Sequence, residues 1–349
     1  MATMKEIAQI AGVSTATVSH VVNGTKKLTA ETTERVLLAI QRLNYKPNLL
    51  AKSLRSGQTR VIGVLAEDFR SFPACEVVGG IAEALETTGF QMLMYDLHLY
   101  ERIYNQYEQI GAYRERVNQG VSLLTGSHVD GVIYVAIHDR HLDGIIDPVG
   151  HPLVYAYSLG TPQDSFVSYA NKESAADLVR LLIGKGHRKI AVISGHPHSF
   201  PTMKRLSGYQ IAMQEAGLTI PDGFISFGNW EYESGYQKAR ELLLLPDPPT
   251  AIFAMNDFMA AGCLHAVADL GLKVPEDISV VGFDNREVAG YLRPQLTTVA
   301  LPTKEIGRQA ALMLLEAIEN KAAVPRSEIL PCHIIQRASV GEPPIKNFR

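Results

Sequence analysis

Cysteine is scarce in this 349-residue chain: Cys75, Cys263 and Cys332 lie far apart, without the paired spacing of a zinc site. That excludes a disulfide framework and predicts a reducing, cytoplasmic compartment. No run of about 18 apolar residues occurs, so a membrane-spanning helix is not expected. The opening MATMKEIAQI lacks the apolar core of a signal peptide. There is no P-loop, no G-x-S-x-G elbow, no H-E-x-x-H helix and no evident nucleophile–base pair, so neither an enzyme nor a resident cofactor is expected. Tryptophan occurs once, at Trp230.

What is present is an ordinary globular composition, 46% hydrophobic and 20% charged, long enough for two or three domains. The net charge of −3 hides an asymmetry. Residues 1–60 hold nine Lys/Arg and three Glu, a balance of +6, leaving −9 on the remainder. A small basic module joined to a large acidic one points to a polyanion as the first module's partner, with chance clustering as the alternative.

In MKEIAQIAGVS, Ile7, Ala8 and Ile10 are expected on one helical stripe, which Gly12 ends. Ser14 is placed to cap a second helix, in which Val18, Val21 and Val22 face inward. Thr15, Ala16, Thr17, Ser19 and His20 are left pointing outward, and Gly24 supplies a stop. A third helix follows Thr29, with Val36, Leu37, Ile40 and Leu43 as its apolar face, and ends before Pro47. Helix, glycine turn, helix and supporting helix is the helix-turn-helix layout. Short hydroxyls suit a helix that must fit closely against phosphates, although a capped helix with solvated hydroxyls has the same pattern. The next stretch, PNLLAKSLRSG, is too short to hold as an isolated helix in water. Leu50 and Leu54 share one side of it, and Lys52 and Arg55 can reach phosphates; a flexible linker is the alternative reading.

From residue 60, short apolar runs alternate with helical stretches. RVIGVLAED, FQMLMYD, DGVIYVA and PLVYAYS read as buried parallel strands. After TPQDS the pattern restarts with KIAVISG, FISFG, AIFAMN and ISVVGFD. Two consecutive arrays of this kind predict two doubly wound α/β lobes with a ligand cleft at the strand carboxyl ends. Candidate cleft residues therefore come from strand ends: Asp68, Asn256, Asp257, Asp284 and Asn285, with Arg205 from the helix after AVISG and Trp230 beyond FISFGN. Forked Arg, Asn and Asp groups beside one indole face are the chemistry a sugar demands. Asn256 and Asp284 are also placed to cap helices, and Trp230 to fill core.

The stretch from Thr3 to about Leu65 resembles the start of the lactose-repressor (LacI) family, its purine-repressor branch in particular. RLSGYQIAMQEAG, PTAIFAMNDFMAAG, GLKVPEDISVVGFDN and YLRPQLTTVALP extend the resemblance through the rest of the chain. It implies an all-α helix-turn-helix headpiece and an α/β core of two doubly wound parallel-sheet lobes, like a periplasmic binding protein. The expected divisions are 1–46 for the headpiece, 47–58 for a hinge helix, 59–340 for the effector-binding and dimerisation core, and 341–349 for a tail. The first lobe is expected at about 59–160 and 290–320, the second at about 161–289 and 321–340.

The resemblance further implies that Thr15, Ala16 and His20 face bases. Thr3, Ser14, Thr17, Ser19, Asn23 and Tyr45 would hold phosphates, Lys26 would lie close to the DNA, and Leu54 would wedge between base pairs in the minor groove. Residues matching Arg205, Trp230, Asn256 and Asp284 contact the effector in sugar-responsive relatives. Tyr157 is expected to serve where many relatives carry Asp at Ala156. Pro73 and Ala74 replace the aromatic pair of purine repressors, with Phe72 one position earlier, and Ser199 stands where an arginine is expected; both favour a sugar or sugar derivative over a purine. The stretch from His98 to His128 is longer than usual and is expected to be an extended helix. No leucine-heptad tail follows Val340, which favours a dimer over a tetramer.

The expectation is thus a homodimeric, cytoplasmic DNA-binding regulator of bacterial type. It would repress from a pseudo-palindromic operator, under a small-molecule effector, with no membrane partner. A carbohydrate-binding protein of the same fold would need no basic head. The His196/His198 and His138/His141 pairs have metal-like spacing, but no further ligand completes a set, so no metal is expected.

Overall fold

The computed structural model describes residues 2–23, 26–45, 58–103, 107–320 and 322–344. The chain divides into two compact units, Met1–Thr59 and Arg60–Arg349.

The first unit contains α1 (Met4–Ala11), α2 (Thr15–Asn23) and α3 (Ala30–Arg42). Each start is capped by a hydroxyl. Glu6 N–H donates to Thr3 Oγ1 (3.3 Å) while Thr3 N–H donates to Glu6 Oε2 (2.7 Å), a reciprocal capping box. Thr17 N–H donates to Ser14 Oγ (3.1 Å), and Thr32 N–H to Thr29 Oγ1 (3.3 Å). Gly12 ends α1 in the left-handed region at φ 62°. Ile7, Ala8, Ala11, Val18, Val36 and Ala39 form the core, with Val21, Val22, Ile40, Leu43 and Tyr45 packed around it.

Two expected core positions are surface: Ile10 is 45% and Leu37 53% exposed. Successive helix positions turn by about 100°, so Leu37 points well away from Val36. The small Ala11 and Ala39 take the buried places and let the helices approach. Gly24, Pro47 and the whole of PNLLAKSLRSG lie outside the described residues.

The second unit runs, in chain order, β1 (Val61–Ala66), α4 (Phe72–Leu85), β2 (Gln91–Asp96), α5 (Tyr100–Ile103), α6 (Arg114–Gly126), β3 (Gly131–Val135), β4 (Leu153–Ala156) and β5 (Ser165–Tyr169). It continues with α7 (Asn171–Gly184), β6 (Ile190–Ser194), α8 (Phe200–Glu215), β7 (Ile225–Phe227), α9 (Tyr232–Leu243), β8 (Ala251–Ala254) and α10 (Asp257–Asp269). β9 (Ser279–Val281), α11 (Val288–Tyr291), β10 (Thr298–Ala300), α12 (Thr303–Glu319), β11 (Ser327–Leu330) and β12 (His333–Ile335) complete it.

Two parallel sheets result, ordered β11-β5-β4-β3-β1-β2 and β7-β6-β8-β9, beside a small antiparallel pair, β10-β12. The inner strands are buried apolar runs, as parallel sheets covered on both faces require; β3 and β6 are buried at every position, while β2, β7 and β11 are half-buried or exposed along most of their length. Helices flank both sheets, and α12 lies against α4. Among the described residues no helix is long and apolar enough to cross a membrane.

The lobe boundaries differ from those expected. β5, beyond the expected end of the first lobe, pairs with β4 in the first sheet, and β11 pairs with β5. β10 instead joins the second lobe through the bridges Val281–Thr297 and Asp284–Ala300. The chain therefore crosses between lobes near residues 170, 301 and 331. SFVSY is too short and too polar to announce a strand, and its sheet is chosen by non-local pairing. The extended helix expected between His98 and His128 is also absent: α5 is one turn, Tyr107–Tyr113 is a 3₁₀ segment, and only α6 is a long helix.

Candidate functional site

On the first unit, Ser14, Thr15, Ala16 and Lys26 are exposed, and Thr17, Ser19 and His20 half-buried. The hydroxyls of Thr3, Ser14 and Thr17 take part in caps, Ser14 Oγ lying 2.9 Å from Thr17 Oγ1. Tyr45 packs against the head core. The backbone of Asn23 closes α2, but its side chain lies outside the described residues, as do Leu54 and Arg55.

On the second unit, a cavity of about 460 Å³ collects residues from the carboxyl ends of both sheets. Phe72 follows β1, His138 follows β3, Tyr157 follows β4 and Tyr169 ends β5. From the other lobe come Arg205 on α8, Trp230 after β7, Asn256 and Phe258 after β8, and Asp284 and Arg286 after β9. This is where doubly wound sheets hold ligands, because successive connections diverge there and leave a crevice.

Arg205 is the hub of the cavity floor and is almost fully buried. Its Nε donates to Asn171 Oδ1 (2.9 Å), one terminal nitrogen donates to the Met255 carbonyl, and the other reaches Tyr169 Oη (3.3 Å) and Asp284 Oδ1 (3.5 Å). Its guanidinium lies over the Phe283 ring, 3.8 Å from the centroid, with Trp230 at 5.6 Å. Asn256 Nδ2 donates to the Trp230 carbonyl (2.8 Å), and Asn256 Oδ1 accepts from Met259 N–H (2.8 Å). Asn256 is thus both the cap of α10 and a brace for the indole loop. Gly195 makes room for that indole: a Cβ there would sit 1.9 Å from Trp230 Cε2.

Tyr157 (φ 62°), Trp230 (φ 74°) and Asp284 (φ 108°) all have left-handed backbones. Each costs of order 1–3 kcal/mol for a non-glycine residue and persists where its surroundings over-determine it, commonly at a binding site.

Burial raises the Asp284 carboxyl above its ordinary range, against the pull of Arg205 and Arg286. Burial, then the charge of Asp284, pushes neighbouring Asp257 up to about 7; it accepts from Thr298 Oγ1 (2.6 Å) and Arg286 N–H (2.6 Å). His138 is driven well below its usual range by burial and then by nearby arginines, so it is neutral at pH 7. Tyr157 and Tyr169 stack at 5.2 Å, and burial keeps both phenols protonated. Trp230 Nε1 and Arg286 Nε are buried donors without a hydrogen-bond partner among the described residues. A cavity so lined offers forked donors, one charged acceptor, phenol hydroxyls and aromatic faces to a small polar ligand.

Six expected cleft residues, Phe72, Tyr157, Arg205, Trp230, Asn256 and Asp284, come together here. Two do not. Asp68 is buried beside the mouth, where Arg70 grips it (Nη2 to Oδ2, 2.9 Å) and overrides the effect of burial to hold its carboxyl below the usual range. Ser199 starts α8 and donates to the His196 carbonyl (3.0 Å) and Thr202 Oγ1 (2.9 Å), away from the cavity wall. A hydroxyl and a carboxylate this well satisfied locally have little left for a ligand.

Arg286, Phe258 and Tyr169 were not foreseen. Arg286 and Phe258 each sit two residues past a candidate already singled out, a signal open to view; Tyr169 sits on the unforeseen β5. The paired histidines do not assemble a three-ligand set. Among the described residues the cluster with ligand spacing is Asp68, Asp96 and His98, and there Arg70 already supplies the positive charge.

Comparison with known proteins follows the same division. Residues 3–48 match the bacterial regulatory proteins of the lacI family, and residues 179–340 a periplasmic binding protein-like domain. The whole chain is 33% identical to the HTH-type transcriptional repressor PurR of Escherichia coli O139:H28, covering all of both chains. The chain belongs to the LacI family. A second LacI-type relative, the PurR repressor of Vibrio atlanticus, is 32% identical over 97% of this chain and 99% of its own.

Among solved structures, the lac repressor dimer bound to operator and the anti-inducer ONPF superposes with a TM-score of 0.81 at 25% identity. The match covers 97% of this chain and 99% of that one. The CelR–cellobiose complex is 31% identical, with a TM-score of 0.64 over 97% of this chain and 100% of the other. Like other LacI-family proteins, this chain is a DNA-binding transcriptional regulator with an effector-binding core, and not an enzyme.

Proposed function

We propose that this protein is a homodimeric repressor whose heads read a pseudo-palindromic operator and whose core takes a sugar or sugar derivative. Thr15, Ala16 and His20 are assigned to base edges. Ser14, Thr17, Ser19, Asn23, Tyr45 and Thr3 are assigned to phosphates, Lys26 to the DNA flank, and Leu54 and Arg55 to a hinge segment in the minor groove. A residue such as Ala16 can contact a thymine methyl.

The observation that carries the effector reading is the convergence of Arg205, Asp284 and the Trp230 indole on one cavity at the strand ends. The likeness to a regulator solved with cellobiose adds support. The repressor assignment draws on relatives named as repressors, and the dimer on the lac repressor dimer. Effector binding would change the fit of the two lobes. By linkage, it then changes operator affinity by the same factor that operator changes effector affinity.

A mobility-shift titration of the full chain at two salt concentrations tests the DNA side. Binding to a matching palindrome should exceed binding to scrambled duplex, and should weaken by orders of magnitude as salt rises and counterion release loses its drive. Equal binding to both duplexes would refute the assignment.

A further inference from the structure

The inner wall of the cavity carries two guanidiniums, Arg205 and Arg286, against one carboxylate, Asp284. Asp284 lies 3.5 Å from each, longer than the ~2.8 Å of a good charge-assisted hydrogen bond. Arg205 is otherwise satisfied by Asn171, Tyr169 and the Met255 carbonyl. Arg286 is not. Its guanidinium lies over two phenyl rings, Phe72 from one lobe at 4.8 Å and Phe258 from the other at 4.3 Å. Its side chain is a quarter exposed, and its buried Nε has the long 3.5 Å approach of Asp284 Oδ2 but no hydrogen bond among the described residues.

Glu101 and Glu231 also line the cavity and with Asp284 match its three arginines in number, but among the described residues neither glutamate is paired with Arg286. At the mouth, Glu101 accepts from Arg70 (2.8 Å), which also holds Asp68. Glu231 is exposed. Asp257 accepts from the Arg286 backbone rather than its guanidinium, and burial favours its protonated form. The Trp230 indole N–H, lining the same cavity, is a second buried donor with no acceptor among the described residues. A planar fork of donors left without well-bonded acceptors is matched by a group presenting two or three anionic oxygens.

From this we infer that the effector carries an anionic group, a carboxylate or a phosphoryl, that docks on Arg286 beside the Trp230 indole. This rests on the reading of the cavity as a sugar-derivative site and narrows it to acidic or phosphorylated sugars. Docking there also fixes the Phe72–Arg286–Phe258 stack, which spans both lobes.

Trp230 is the chain's single tryptophan, so its fluorescence reports this cavity alone. The test titrates the full-length protein with D-glucose and D-galactose, their uronates, their hexose phosphates, and inorganic phosphate. An acidic member should bind at least about tenfold tighter than its neutral parent, and the arm that responds tells carboxylate from phosphoryl. Raising salt should weaken it, and Arg286→Gln should remove the preference while Arg286→Lys keeps part of it. The melting temperature of each variant confirms folding.

A neutral sugar that binds as tightly as its acid overturns the inference, as does an acid whose affinity survives Arg286→Gln. Inorganic phosphate binding as tightly as any sugar phosphate would support the anion site but refute the sugar reading beneath it. Emission unmoved by every ligand would overturn both.

Discussion

Asp257 shows how a residue off the cavity wall tunes it. Its ordinary value is 3.8, and burial, with help from Asp284, raises it to about 7 in the folded chain. Between those limits the folded state binds more protons than the unfolded state, so this group's contribution falls as pH rises. The stability of the native chain relative to Asp257→Asn should therefore decline from about pH 4 to pH 7. Urea unfolding of both proteins across that range checks it, and a flat difference would contradict the raised value. Gly195 is the second telling residue. Gly195→Ala should displace the Trp230 indole, whose Cε2 would lie 1.9 Å from the new Cβ. The fluorescence spectrum of the variant should shift to the red while its far-ultraviolet circular dichroism stays native.

At the scale of elements, α4 and α12 meet through glycine. A Cβ at Gly80 would lie 1.8 Å from the Lys304 carbonyl, and one at Gly307 1.9 Å from the Val77 carbonyl. The helices are thus in backbone-to-backbone contact, and neither can yield without separating from the first sheet. Gly307→Ala should destabilise the core by about 1–3 kcal/mol, the usual penalty for overpacking, although alanine is the better helix former. Chemical denaturation measures this, and a stabilised variant would show that the contact is looser than described. The caps act at the same scale: Thr3, Ser14 and Thr29 each satisfy a backbone N–H that a helix start leaves free. Thr3, Ser14 and Thr17 thereby do structural service in addition to any contact with phosphate.

For the whole molecule, the basic balance lies almost wholly in the first unit and the cavity in the second, and PNLLAKSLRSG stands in the sequence between α3 and β1. An isolated helix of about that length is marginal in water, which makes the proposed hinge dependent on its DNA contact. Leu54→Ala should accordingly lower affinity for a palindromic operator by about 2 kcal/mol or more through loss of the minor-groove wedge. Core stability should be untouched. Operator titrations at fixed salt decide it, and unchanged affinity would remove the segment from the DNA interface.

The sequence alone determined the head, because local rules suffice there. Hydroxyl caps at Thr3, Ser14 and Thr29, the glycine at position 12 and the valine at position 18 act within a few residues of themselves. It also determined the two α/β arrays, most of whose strands are continuous apolar runs, and six of the residues that meet in the cavity. Tertiary structure decided what depends on distant partners. Parallel pairing placed β5 and β11 in the first sheet and β10 with the second lobe. Small residues at Ala11 and Ala39 took the buried places from Ile10 and Leu37. Asp68 and Ser199 are bonded by their own neighbours, off the cavity wall. Arg286 gained its importance from two rings contributed by opposite lobes and a carboxylate shared with Arg205. Hydrogen-bond satisfaction and charge balance are sums over neighbours in space, and a linear sequence does not contain those neighbours until the chain has folded.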